Sequence, residues 1–328
     1  MYISIKMIVI FPENANIAQF HMYFKKYYYV LYNFFINNNA TIHTINNIPS
    51  EINSNETVIL CDIFINPSNS ECNNLHTFLY DYKNNTENKF NFKLFCICGD
   101  MWGHSEMKSF QLFDKVLYNL LCAANYTLIN VSPNPLNISK LWNNSLDQYV
   151  HNYKYFQFDF YYDGIEIDFN SNPINKLLLS GEMHNIHYPE RVKLLHLNNE
   201  NVIFKQYDRS ISSNYVSELN KYICCFASNV YKYIPNINAK IILLKYLEIL
   251  SSGSLLLCDD STTEELASIG IIHNHNCYIT NMNNITEAIN FIVNPDNREK
   301  IDRIRFNGYN WYKKYKEEQY QKLETLFN

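Results

Sequence analysis

Short apolar runs alternate with longer stretches of helical periodicity along this chain, the pattern of a parallel sheet covered by helices on both faces. In the first half, Met7–Phe11, Thr41–Ile45, Val58–Ile65, Lys93–Cys98 and Tyr126–Val131 predict strands. Ile17–Ile36, Asn74–Tyr82 and Phe110–Ala124 predict the helices between them. Residues 143–172 are aromatic and irregular, which places a domain junction there. After Pro173 the alternation restarts. Lys176–Leu179, Val202–Lys205, Tyr222–Ala227, Leu255–Cys258 and Tyr278–Thr280 predict strands. Pro189–Leu197, Tyr215–Asn220, Ala239–Ser251, Glu264–Ile269, Ile285–Val293 and Asp296–Phe327 predict helices. The expected fold class is therefore α/β, with two Rossmann-like domains facing a cleft. Ligands of open parallel sheets bind beyond the carboxyl ends of the strands. That singles out the loops after Lys93–Cys98, Lys176–Leu179 and Tyr222–Ala227, and the turn at Gly253.

Composition narrows the function. The 328 residues suit two domains of roughly 100–200 residues each. With 47% hydrophobic residues, 27 Tyr and 21 Phe, the chain can fill a packed interior despite its many Asn. A formal charge of −5 and no basic stripe argue against a nucleic-acid binder. The nine Cys have no regular spacing and no CxxC pair, which indicates neither a disulfide scaffold nor a zinc site. Cys96, Cys98, Cys224 and Cys225 sit in apolar runs and read as buried thiols of a reducing, cytoplasmic compartment. No apolar run approaches the roughly 20 residues of a transmembrane helix, and the one at the N-terminus is too short for a signal peptide. Only seven Gly are present, so each marks a place where a side chain is not tolerated.

The most informative segment runs from Lys245 to Asp260. Lys245 and Glu248 are three residues apart and share a helical face. Gly253 permits a sharp helix-to-strand turn, and a carboxylate near such a turn can accept both hydroxyls of a ribose. Spacing alone is equally that of a surface ion pair ahead of an ordinary helix cap. The loop Gly99-Asp100-Met101-Trp102-Gly103-His104 offers a second constellation. Asp100 or His104 could act as general base on an acceptor hydroxyl; a capping Asp beside a packing Trp is the plainer alternative. His184 with His187, and His273 with His275, have no third ligand in sequence, and no metal is expected. The absence of GxGxxG and Walker patterns counts against NAD and ATP enzymes.

The pattern Lys-x-x-Glu-(apolar)-x-x-x-Gly-x-(apolar)3 over Lys245–Leu257 resembles the donor-site signature of GT-B glycosyltransferases. It is closest to the group-1 branch that includes the spore-maturation type. Thr263–Leu266, Tyr278–Thr280, Ile285–Ile289, Asn294–Arg298 and a Gly308 ahead of the last helix follow in that branch's order. The similarity covers Lys176–Tyr320 and is strongest from Ala239 onward.

The resemblance implies an N-terminal acceptor domain (1–170), a nucleotide-sugar donor domain (171–312) and a final helix (313–328) returning to the N-terminal domain. It implies metal-independent transfer of a hexose from a UDP- or GDP-sugar to a hydroxyl acceptor. By position, Glu248 would bind the donor ribose and Lys245 would lie near its diphosphate. Gly181 would admit phosphate to backbone N–H groups. Arg191 would follow that turn, Ser228 and Asn229 would lie at a donor-facing strand end, and Gly253 would form the helix-to-strand turn that faces the ribose. Lys240 stands where retaining members carry a second glutamate, which leaves the stereochemical course open. It also leaves a catalytically inactive nucleotide- or glycan-binding protein as the alternative.

Overall fold

A computed structural model describes residues 6–11, 29–53, 55–61, 74, 77–78, 80–81, 92–98, 126–130, 153–155, 166–185, 188–206, 215–229 and 242–327. The chain divides into two units, one of residues 1–158 with 321–328 and one of residues 159–320.

Among the described residues the first unit holds six strands: β1 (Met7–Phe11), β2 (Thr41–Thr44), β3 (Thr57–Cys61), β4 (Lys93–Cys98), β5 (Tyr126–Asn130) and β6 (Tyr153–Tyr155). They pair in the order β2-β1-β3-β4-β5-β6, all parallel. Apolar runs without alternation suit strands covered on both faces, and every residue of β3 is buried. β6 falls in the stretch that the sequence leaves irregular; its three residues, Tyr-Lys-Tyr, are too few to show a period. Helix α1 (Tyr29–Asn37) contributes Phe34 and Phe35 to the core. Phe327 packs on both rings and on Phe95, with centroids 5.3, 6.2 and 4.8 Å away. Glu56 is buried just ahead of β3, where Lys6 Nζ and the Asn53 N–H donate to its carboxylate at 2.6 and 2.7 Å.

The second unit is a five-stranded parallel sheet of β7 (Ile174–Ser180), β8 (Val202–Lys205), β9 (Tyr222–Ala227), β10 (Leu255–Asp259) and β11 (Tyr278–Thr280). Its order is β11-β10-β9-β7-β8. Its described helices are α2 (Pro189–Leu195), α3 (Tyr215–Asn220), α4 (Leu244–Ser252), α5 (Thr263–Ser268), α6 (Ile285–Val293) and α7 (Arg298–Phe327), the last of which belongs to this unit up to Tyr320. One core joins Leu177, Cys224, Phe226, Leu255 and Leu257 of the sheet to Ile289 and Ile292 of α6 and Ile301 and Ile304 of α7.

Three findings refine the sequence reading. Residues 166–170, read as part of the first domain, are tied into the second unit. Asn170 Nδ2 donates to Asn220 O, Asn220 Nδ2 to Asp168 O, and Tyr309 Oη to Ile167 O. Helix α4 begins at Leu244 rather than Ala239, because Leu243 is extended (φ −73°, ψ 149°). Gly308 does not precede the last helix but lies inside α7. A Cβ there would sit 2.7 Å from Asn276 O and 2.8 Å from Leu250 Cδ2, so the missing side chain lets α7 close onto its neighbours. Among the described residues no helix is long and apolar enough to cross a membrane.

Candidate functional site

Because β7, β9 and β10 run parallel, their last residues, Ser180, Ala227 and Asp259, lie along one edge of the sheet. Gly181, Ser228 and Asn229, and Ser261 and Thr262 follow directly. Helix α4 runs back against this sheet, which brings its first turn, with Lys245, to the same edge.

Lys245 is 2% exposed. Its ammonium donates to Ser180 O at 2.7 Å, Ser180 Oγ at 2.8 Å and Tyr215 Oη at 2.6 Å. Gly181 has φ +102°, a conformation that favours glycine. A Cβ on it would meet Lys245 Nζ at 3.1 Å and Arg191 Nη1 at 3.2 Å. Two cations from two helices therefore border one half-buried turn. Arg191 is buried as well, its guanidinium lying 3.9 Å over the Tyr188 ring. Glu248 sits one turn after Lys245 on the same face of α4 and is 4% exposed.

The neighbouring strand ends are tied together by Asp259. One of its oxygens accepts the Asn229 N–H at 3.3 Å and the other the Ser261 N–H at 3.0 Å. Burial, and then the Asp259 charge, push the Tyr246 phenol well above its usual range, so it stays a neutral partner of Thr262 Oγ1 at 3.3 Å. Ser228 is fully buried, and its hydroxyl has no hydrogen-bond partner among the described residues. Cys225 lies two residues before the edge, and burial pushes its thiol up to about 12, which makes it an inert core group. Among the described residues no cluster of three His, Cys, Asp or Glu side chains could hold a metal ion.

No protein-family model matches the sequence, and no curated protein matches it. Solved structures do. HepE of Anabaena, crystallised in complex with UDP, aligns with a TM-score of 0.54 over 98% of this chain and 99% of that one, at 10% identity. An S. aureus TarM variant, in a complex that includes UDP, aligns with a TM-score of 0.50 at 11% identity, over 84% of this chain and 56% of that one. The pneumococcal O-GlcNAc transferase GtfA is also similar, with a TM-score of 0.49 and 11% identity. This chain spans little more than half the length of GtfA and TarM. Together with the two parallel sheets, the likenesses to HepE and TarM establish the architecture.

The chain has the GT-B fold.

Within this GT-B chain, Gly181, Arg191 and Lys245 come together, and Glu248 joins them through the shared face of α4. Their burial removes the surface-ion-pair alternative for Lys245 and Glu248. Ser228 and Asn229 stand at the same strand edge. Gly253 does not belong with them, and its assignment to the donor site is corrected. It caps the far end of the nine-residue α4, at φ +76°, next to the start of β10 and hence at the opposite edge of the sheet. Its surroundings are Phe169, Tyr309 and Arg305, whose Nε donates to Gly253 O at 3.1 Å. Asp100, His104, His187 and Lys240 lie outside the described residues. His273 accepts the Ile279 N–H on Nδ1 at 2.9 Å, a structural contact. Sequence reasoning missed Tyr215, Tyr188 and Asp259. The one available signal was the start of the predicted helix Tyr215–Asn220, which puts Tyr215 beside a strand end.

Proposed function

We propose that this protein transfers a hexose from a UDP- or GDP-sugar to a hydroxyl acceptor, and that the carboxyl edge of its second sheet holds the donor. The observation that carries this reading is the convergence of Lys245 Nζ and Arg191 Nη1 on the backbone of Gly181. Two buried like charges repel each other, and a diphosphate placed against both offsets that repulsion. Gly181 lets backbone N–H groups approach the phosphate oxygens, and Glu248 accepts the ribose hydroxyls.

Breaking the bond between the sugar anomeric carbon and the diphosphate oxygen leaves the electron pair on that oxygen. The positive charges of Lys245 and Arg191 are already in place beside the charge that develops there. With two fixed cations in that role, no metal is required, and transfer should survive chelation with EDTA. The acceptor hydroxyl forms the new bond as it loses its proton, and in an inverting course Asp100 or His104 takes that proton. The UDP in the HepE and TarM crystals supports the nucleotide class. The order of motifs from Lys245 to Arg298 supports the group-1, spore-maturation-like branch.

Glu248→Ala should weaken UDP or GDP binding about tenfold or more by calorimetry, the worth of one charge-assisted bidentate contact. Unchanged affinity in a folded variant would remove the donor-site assignment. Lys240, standing where retaining enzymes carry a glutamate, favours a second reading, a binding protein without turnover. Slow hydrolysis of any member of a nucleotide-sugar panel excludes it.

A further inference from the structure

We propose that Tyr215 is a positioning residue of this site: with Ser180, its hydroxyl clamps the Lys245 ammonium at Gly181, so that the lysine meets the donor diphosphate as a fixed charge. This inference rests on the donor-site reading above and adds how its cation is held.

A lysine ammonium carries three N–H donors and no acceptor. Three acceptors surround Lys245 Nζ at 2.6–2.8 Å, two from Ser180 and one from Tyr215. The Tyr215 and Ser180 hydroxyls lie 3.1 Å apart and bond to each other, which closes the triangle. The Tyr215 ring also faces the ammonium, with its centroid 5.3 Å away. Tyr215, Ser180 and Lys245 are all buried, and they come from the first residue of α3, the last residue of β7 and the first turn of α4. Three elements far apart in sequence are thus locked at one point beside Gly181.

The consequence is chemical. A lysine normally reaches for a phosphate on a flexible four-carbon stem and loses rotamer freedom as it does so. Here that freedom is already lost on folding, and Lys245 acts on an anion through its charge. Such preorganisation keeps the field in place while the leaving diphosphate gains charge. Packing alone needs only the aromatic ring at position 215, not the hydroxyl. The hydroxyl is what touches Nζ.

The experiment is calorimetric titration of the full chain and its Tyr215→Phe variant with UDP and with uridine, beside their melting temperatures; GDP and guanosine serve if the protein prefers guanine. Removing one clamp oxygen should weaken diphosphate binding about tenfold while nucleoside affinity stays within about twofold. The melting temperature should fall by only a few degrees, because the buried ammonium loses one acceptor while the ring remains. Ser180→Ala, which removes the other side-chain acceptor, should act in the same direction and provides the measurement if Tyr215→Phe does not fold. Undiminished UDP affinity in both variants overturns the clamp. So does an equal loss for UDP and uridine, since that is a general structural effect. If the unaltered protein binds neither UDP nor GDP, the donor-site reading itself fails, and the clamp fails with it.

Discussion

Gly181 is the residue on which backbone geometry and the two cations meet. Its φ of +102° is costly for any other residue, and a Cβ would press between the Lys245 and Arg191 cations. Gly181→Ala should cost about 1–3 kcal/mol of stability in urea unfolding. It should also lower UDP affinity more than tenfold, because the methyl group occupies the place proposed for a phosphate oxygen. A variant that binds UDP normally would show that the phosphate lies elsewhere. Glu56, in the other unit, gives a test by pH. Burial works to raise its pKa, but donation from Lys6 and Asn53 outweighs burial and holds it below the ordinary 4.5. A carboxylate depressed in the folded state contributes stability that is fully present above the unfolded pKa and lost as pH falls through the folded one. Stability should therefore fall below about pH 4.5, and Glu56→Gln should flatten that acid limb in a melting-temperature profile.

The site residues were unequally legible in sequence. Lys245 and Glu248 stood out because a helical spacing placed both on one face. Gly181 stood out because glycine is rare here and follows an apolar run. Tyr215 is barely legible: its place at a predicted helix start does not separate it from the other tyrosines among 27 until the fold brings it to Ser180 and Lys245. Gly253 was misplaced for a related reason. A glycine after a helix can cap it or face a ligand, and only the direction of α4 against the sheet decides between the two.

At the scale of elements, the strands of the second unit were read almost to the residue because continuous apolar runs bounded by polar turns leave little choice. The bounds of β9, β11, α3 and α6 coincide with those expected. The start of α4 did not, since no side chain caps it and Leu243 gives no stop signal. Helix α7 shows a contact that sequence patterns cannot reveal. Gly308 in mid-helix would ordinarily weaken it, yet a Cβ there collides with Asn276 O and Leu250 Cδ2. Gly308→Ala should therefore destabilise the protein by about 1–3 kcal/mol, the usual cost of overpacking, despite the better helix propensity of alanine. Chemical denaturation measures this. A stabilised variant would mean that α7 can move away from its neighbours without loss.

At the scale of the whole molecule, two parallel sheets followed from apolar runs alternating with helical periods, and solved structures at about 10% identity share the resulting fold. The site within the second unit follows from topology. Parallel strands bring their carboxyl ends to one edge, and the helix before β10 returns its first turn to that edge. The central claim is that this edge holds a nucleotide diphosphate between Lys245 and Arg191. A crystal structure of the protein grown with UDP or GDP tests it most directly. The phosphate oxygens should lie against the Gly181 backbone, between the Lys245 ammonium and the Arg191 guanidinium, with the ribose hydroxyls on Glu248. A nucleotide bound away from the ends of β7, β9 and β10, or one whose diphosphate points away from both cations, would contradict it.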